Sequence, residues 1–387
     1  MRKLLSSSVL GLVLSTFSAR AQQYNAAAVD SLILVRSQAE VARGSKFVLT
    51  GYTNITAAFS KEQSSFSDLA FVPILLWKPQ QNILVEVELE TTLRGNETNI
   101  ELGYADVSYF VNKYLTVRTG KFISPFGIFQ DRLHPSWINK LPTVPVGTGE
   151  SEVGVGPTSE IGVDLRGGVP LGLSKMNYSV YLANGAQLLT DPTELSRQGT
   201  LSYGNAAAIS KKLTVGGRVG LLPFDDSSLE LGVSVRDGNV GDKNSLYRSV
   251  GAQMYALDLT YVKQLTPIKG VLDVKAQWNK VSVDRANYLV QMDSAQTEWY
   301  TFDNTRTSMF AQAAYRPTML PNKILKKTEF VFRYAQFTPP TGARELEKVQ
   351  QYTYGVDYWI SWRTAVKLAY QSQKNADAFL MQFAVGF

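Results

Sequence analysis

The sequence predicts an all-β fold, a transmembrane antiparallel β-barrel of about sixteen strands. Three observations predict it. The first is the last nine residues, where Phe379, Met381, Phe383, Val385 and Phe387 fall on one side of a strand and Leu380, Gln382, Ala384 and Gly386 on the other. A greasy strand ending in an aromatic carboxyl terminus would be an open edge in a soluble sheet, whereas in a closed barrel the greasy side meets lipid and the edge is paired. The second is that no segment past the N-terminus has about 18 consecutive apolar residues, so the chain cannot cross a bilayer as helices. The third is a period-two alternation that recurs along the chain, with short and long connections taking turns. A sixteen-strand reading leaves eighteen possible, if the segment 206–221 is a hairpin near Ser210-Lys211-Lys212.

Taken in order, the chain opens with Arg2 and Lys3, an apolar run from Leu4 to Phe17, and Ala19-Arg20-Ala21. This is a signal-peptide pattern with an A-x-A cleavage site, giving a signal peptide over 1–21 and a mature start at Gln22. The absence of cysteine means that an exported chain must draw its stability from closure and packing, not disulfides. Residues 22–45 lack strand alternation and read as a short periplasmic helix or lead-in, and 46–387 as the barrel with long extracellular loops.

Sixteen alternating segments follow: 47–59, 66–77, 83–93, 98–110, 114–123, 160–169, 175–184, 206–221, 229–236, 253–264, 270–283, 306–316, 328–337, 351–360, 363–372 and 378–387. Most are near the ~9–11 residues that a tilted strand needs to cross a bilayer. The connections at 78–82, 111–113, 170–174, 222–228, 265–269 and 361–362 are short, and 316–327 falls on the same side. Those at 124–159, 185–205, 237–252, 284–305 and 338–350 are long. Short periplasmic turns and long extracellular loops alternating in this order put both ends of the barrel on the periplasmic side.

Charge completes the picture. Charged residues make up 19% of the chain, while Tyr and Phe number 19 and 18, a balance suited to a lipid-facing surface with interfacial aromatics. Removing Arg2, Lys3 and Arg20 leaves 36 basic residues against 33 acidic, a net +3 spread along the chain, which gives no basis for a nucleic-acid partner. On 83–93, Glu86, Glu88 and Glu90 share one face opposite Ile83, Val85, Val87 and Leu89. Three carboxylates on one face cannot lie against lipid and so should line an aqueous lumen. Arg118, Arg166, Arg218, Arg236, Lys275, Arg333, Arg363 and Lys367 fall on polar faces in the same way, as do Asp164, Glu230, Asp258, Asp273, Glu329 and Asp357. A barrel this wide cannot be filled by side chains alone, so the expectation is an open lumen. Trp77, Trp359 and Trp362, with Tyr352, Tyr354 and Tyr358 nearby, are expected in the aromatic girdles.

The long connection 124–159 contains Ser124-Pro125-Phe126-Gly127-Ile128-Phe129 and His134-Pro135-Ser136-Trp137, and its prolines and aromatics suggest a folded loop. The chain here resembles the phosphate-selective porin O and P family. The resemblance is carried by Gly120-Lys121-Phe122 with Pro125-Phe126-Gly127, and by Tyr178-Ser179-Val180-Tyr181-Leu182-Ala183-Asn184-Gly185. Gly217-Arg218-Val219-Gly220 with Pro223 and the terminal Phe387 match as well. The resemblance implies a sixteen-stranded barrel, often a homotrimer, in which an inward-folded third loop narrows the pore.

The functional expectation is an outer-membrane porin of a Gram-negative bacterium, with outer-membrane lipid around it. Small hydrophilic solutes or ions, among them anions such as phosphate, would diffuse passively through a lumen narrowed by the 124–159 loop. Its predicted lining is Glu86, Glu88, Glu90, Arg118, Lys121, Arg132, Lys140, Arg166, Arg218 and Arg333. An anion-selective pore needs a dense cationic ladder, and the carboxylates Asp131, Glu150 and Glu152 in the loop argue for a mixed field. The alternative is a non-conducting barrel acting as an adhesin or a structural or secretion-associated partner. His134, the one histidine, sits in a loop context with no nucleophile pattern around it, and no metal-ligand cluster, P-loop or dinucleotide fingerprint occurs. The sequence therefore points to no enzyme, cofactor or metal.

Overall fold

The computed structural model describes residues 46–387 other than 63, 150, 152, 208, 211, 294 and 295. The expected signal peptide and the 22–45 segment lie outside the described residues. The wall begins with β1 (Phe47–Ser60), β2 (Ser64–Gln80), β3 (Ile83–Arg94), β4 (Glu97–Phe110) and β5 (Thr116–Ile123). After the long loop come β6 (Ser159–Leu171) and β7 (Ser174–Ala183), then a small hairpin of β8 (Gln187–Leu188) and β9 (Leu201–Ser202). The wall resumes with β10 (Thr214–Leu222), β11 (Leu229–Asn239), β12 (Gly251–Leu265) and β13 (Gly270–Val283). A second hairpin, β14 (Asn287–Asp293) and β15 (Gln296–Thr301), precedes β16 (Thr305–Arg316), β17 (Thr328–Thr338), β18 (Val349–Trp359), β19 (Thr364–Gln373) and β20 (Ala378–Gly386).

Sixteen of these strands, all but the two hairpins, close into one antiparallel barrel in which each strand pairs with its neighbour along the chain and β20 pairs with β1. Closure reaches the last residue. Phe387 and Gly51 exchange backbone hydrogen bonds at 2.9 and 3.1 Å, and the Phe387 ring stacks on Phe71 with centroids 5.8 Å apart. A sheet with no free edge leaves no row of unpaired N–H and C=O groups in lipid.

Strand count and order agree with the alternation in the sequence. The expected strand 206–221 starts at Thr214, so among the described residues there is no hairpin there and the wall has sixteen strands. The hairpins β8–β9 and β14–β15 lie within the expected long loops and were not legible, because two to seven residues give too little alternation to read.

Alternation sorts the two faces. On β10, Thr214, Gly216, Arg218, Gly220 and Leu222 are buried, while Val215, Val219 and Leu221 are exposed. The same pattern on β7, β11 and β18 puts Val180, Leu182, Leu231, Val233, Val235, Tyr352, Tyr354 and Val356 on the outside. An apolar surface extending round a barrel cannot be stable in water and is what a lipid solvent requires. Trp77 is on this outer surface, as expected of a girdle, whereas Trp362, in the turn between β18 and β19, packs edge-on against Trp137 of the lumen loop with ring centroids 6.0 Å apart. Trp359 is not on the outer surface. It is 5% exposed, faces inward, and donates its indole N–H to Glu329 Oε2 at 2.9 Å. The reason is parity: Trp359 shares its face of β18 with Asp357 and Thr353, opposite the outward Tyr358.

Candidate functional site

The interior is organised by the connection between β5 and β6. It leaves the rim at Ser124, folds into the lumen, and makes a short helical turn over Phe129–Leu133. Its apolar residues Phe126, Ile128, Phe129, Leu133, Trp137 and Ile138 are buried in one continuous cluster. That cluster also takes in Tyr52, Val72, Ile74 and Leu76 on the inner face of β1–β2, and Phe310 and Phe337 on β16–β17. Burying this many large side chains at roughly 1.5–3 kcal/mol each gives the loop a core of its own.

Polar anchors fix its position on the wall. The amides of Ile128 and Phe129 both donate to Gln277 Oε1, at 2.7 and 2.8 Å, and the Gly127 amide donates to Ser234 Oγ at 3.0 Å. Lys140 pairs with Asp273 at 3.1 Å and with Glu329. Lys367 donates to the carbonyls of Ser136 and Asn139. Thr143 Oγ1 receives Arg333 Nη2 at 2.8 Å and donates to Gln371 Oε1 at 2.9 Å. Two glycines make the contact possible. Gly127 has φ +67° and lies against the Gln277 amide, and a Cβ on Gly355 would sit 2.5 Å from Leu141 Cδ2. The loop is thus tied to strands from β11 round to β19.

This docking accounts for the burial of the lumen wall. The inward side chains of β10–β13 and β16–β19 are almost all buried, including Arg218, Asp258, Lys275, Gln312, Glu329, Arg333 and Lys367. A wide barrel cannot be filled by its own side chains, but thirty-odd residues of inserted chain fill much of it. Half-buried inward polar residues cluster on β3–β7, among them Glu90, Thr116, Arg166, Lys175 and Asn177, with Thr260 on β12 and Gln371 on β19 outside that arc.

The predicted lining residues can be placed against this geometry. Glu86 and Glu88 are buried on the inner face of β3, with Glu90 half-buried beside them. Arg118 is buried and pairs with Asp164 at 2.7 Å, while its guanidinium lies 4.4 Å from the Phe122 ring centroid. Arg166 is on the same inner face of β6 as Asp164. Arg218 holds Asp258 at 2.6 Å and Glu230 at 2.9 Å. Arg132, on the loop, pairs with Glu230 at 2.7 Å and with Asp131 at 3.4 Å. Lys140 and Arg333 lie between the loop and the β13–β18 wall as described. Lys121 departs from the expectation. It alternates with Arg118 and Phe122 along β5, so it points away from the lumen, and its ammonium donates to the Leu102 carbonyl at 2.5 Å.

The loop's two central charges are set by these neighbours. Burial alone would raise the Asp131 carboxyl, but Arg166, Arg132, Arg118 and Arg218 together hold it below the ordinary aspartate value. Burial likewise opposes the charged form of Lys140, and Asp273 and Glu329 overcome it, so its ammonium is held above the ordinary lysine value. His134, half-buried in the loop, is within 2.6 Å of the Gln130 carbonyl through Nδ1, an arrangement that braces the helical turn.

No family model matches the sequence, and no curated protein matches it. Solved structures do match the fold. OmpF of Salmonella typhi, in complex with daunomycin, aligns with a TM-score of 0.57 at 12% identity over 89% of this chain and 98% of that one. The outer-membrane channel DcaP of Acinetobacter baumannii aligns with a TM-score of 0.51 at 13% identity over 88% of this chain and 97% of that one. At such identities the likeness is one of fold: a closed sixteen-stranded antiparallel barrel of the porin type.

Proposed function

We propose that the protein is an outer-membrane porin of a Gram-negative bacterium. Small hydrophilic solutes or ions diffuse passively, without chemical turnover, through a lumen narrowed by the 124–158 loop. The observation that carries this reading is the loop itself. It enters a barrel with a lipid-compatible exterior, crosses the lumen, and is tied to the far wall by Lys140, Lys367 and Gln277. The water-accessible route then follows β3–β7, past Glu90, Arg166 and Asn177, with Arg132 contributed by the loop. Glu86, Glu88, Arg118, Lys140, Arg218 and Arg333 stand behind it and set the field.

Phosphate selectivity is not part of the proposal. Arg118, Arg132 and Arg218 are each paired with a carboxylate. A cationic ladder able to replace an anion's hydration shell needs free donors. We include the homotrimer that the family resemblance implies, with cross-linking in native membranes as its check. The test of conduction is single-channel recording in a planar bilayer under a KCl gradient. Stable ohmic steps support the porin, and the sign of the reversal potential reports whether Arg132 and Arg166 or Glu90 dominate the route. A silent bilayer with folded protein refutes it.

A second reading, a non-conducting barrel that acts through a surface partner, is favoured by one observation. At mid-barrel the inward side chains Glu86, Glu88, Asp106, Arg118, Asp164 and Tyr181 are all buried. Binding to a surface partner by protein that gives no conductance would establish this reading.

A further inference from the structure

Among the buried arginines of the described residues, Arg333 leaves two guanidinium nitrogens without a partner. It is 0% exposed on the inner face of β17, and its one hydrogen bond runs from Nη2 to Thr143 of the loop, while Nε and Nη1 have no partner. Among the described residues, two carboxylates of this wall are committed elsewhere. Glu329 is held by Lys140, Arg316 and Trp359, and Asp273 by Lys140 and Lys275. Asp357 faces Lys367 across the β18–β19 register without a hydrogen bond to it, and lies opposite Glu329, four residues along β18 from Thr353. Thr353, the register partner of Arg333 on β18, is also 0% exposed, and its hydroxyl has no partner. A guanidinium does not lose its proton in a protein, so its unmatched donors and its charge both persist in the interior. Water would satisfy the donors but not the charge, and an unmatched buried charge is strongly unfavourable.

The charge balance of the cleft between loop and wall points the same way. Lys140, Lys275, Arg333 and Lys367 contribute four buried cations, against three buried carboxylates from Asp273, Glu329 and Asp357, and the half-exposed Arg316 adds a fifth positive charge at the Glu329 carboxylate.

We propose that Arg333 Nε and Nη1 and the Thr353 hydroxyl form a buried site for one small inorganic anion of the halide class. The site lies behind the loop and not on the diffusion route, so the inference holds whether or not the barrel conducts. Its consequence is structural. The bound anion fixes the guanidinium, the guanidinium holds Thr143, and Thr143 holds the loop to Gln371. Anion binding and loop docking are then linked, each favouring the other.

The test uses the whole folded barrel in detergent, with bromide and chloride as probes. Crystals grown in bromide should show an anomalous peak within hydrogen-bonding reach of Arg333 Nε and Nη1. The temperature at which the protein loses its folded gel mobility should be higher in chloride than in gluconate at matched ionic strength. That difference should vanish in Arg333→Met and shrink in Thr353→Val. Absence of the bromide peak, no chloride–gluconate difference in the wild type, or an undiminished difference in Arg333→Met would overturn the proposal. If Arg333→Met does not fold, Thr353→Val carries the test, and an undiminished difference in that variant overturns it.

Discussion

Replacing Lys140 by Met probes the docking of the loop most directly. The Lys140 ammonium is 3% exposed and bridges Asp273 and Glu329, joining the loop to β13 and β17 at once. Removing one partner of a buried ion pair costs ~3–5 kcal/mol, since the other charge stays behind uncompensated. Here the loss is softened, because Asp273 keeps Lys275 and Glu329 keeps Arg316 at 3.1 Å and the Trp359 indole at 2.9 Å. The lower end, about 3 kcal/mol, is therefore expected. The backbone ladder of the wall does not pass through Lys140, so the loss falls on loop docking, and at ~1.4 kcal/mol per factor of ten the undocked population rises on the order of 100-fold. Hydrogen exchange reads this at the amides of Ile138 and Asn139, which bond to the Pro135 carbonyl inside the docked loop. Their protection should fall by about that factor while the strand amides keep theirs. Glu329→Gln in the Lys140→Met background should add less than it does alone, because the pair is coupled. The Lys140 value is raised in the folded state, so its contribution is complete below the ordinary lysine value and is lost only as pH rises through the higher folded one. Wild-type protection should accordingly be independent of this group between about pH 6 and 9. Unchanged exchange at Ile138 and Asn139 in Lys140→Met would refute the argument.

Other consequences can be checked with simpler measurements. Arg132→Glu sets a second carboxylate against Glu230 at the loop's exposed edge, and the reversal potential under a KCl gradient should move toward cation preference; Lys121→Glu, outside the lumen, should leave it unmoved. The Asp131 carboxyl is depressed, so its support of the loop is present above the ordinary aspartate value and disappears only as pH falls through the lower folded one. Loop protection attributable to Asp131 should therefore be complete at neutral pH and fall progressively from the ordinary aspartate value toward the lower folded one, and Asp131→Asn should remove that acid-induced loss. Deleting Phe387 removes two backbone hydrogen bonds to Gly51 and a stacked ring on Phe71, and should lower the barrel's unfolding free energy by ~2–4 kcal/mol in a denaturant titration. In single-tryptophan variants, brominated lipid should quench Trp77 and spare Trp359.

The wall was legible because a strand's side chains alternate with a period of two and a closed barrel has only two sides. Glu86, Glu88, Arg218 and Arg333 could be assigned to the inner face from spacing alone. The same rule, applied strictly, would have corrected the two misplaced residues. Lys121 is three positions from Arg118 and so cannot share its face on an unbroken strand, and Trp359 has the parity of Asp357, not of Tyr358. Local composition draws both the other way, Lys121 lying among basic residues near the loop and Trp359 among tryptophans near a strand end, but parity is the stronger constraint.

The loop's destination was not legible, for a different reason. That 124–159 is folded could be read from its prolines and aromatics, but where it docks depends on pairings between residues far apart in the chain. Lys140 meets Glu329 across 189 positions, and Gln277 accepts from Ile128 across 149. Nothing in a single sequence marks Gln277 over the other inward polar residues of the same wall, because what selects it is the curvature that brings β13 opposite the loop's turn. The same long-range geometry turned a wall expected to face open water into one that is mostly buried. An inward arginine meets water in an open lumen and needs no partner, but beneath a docked loop it must find one. Arg118 and Arg218 find carboxylates on the wall. Among the described residues Arg333 finds only the Thr143 hydroxyl, and for that reason it is the position at which we place the anion.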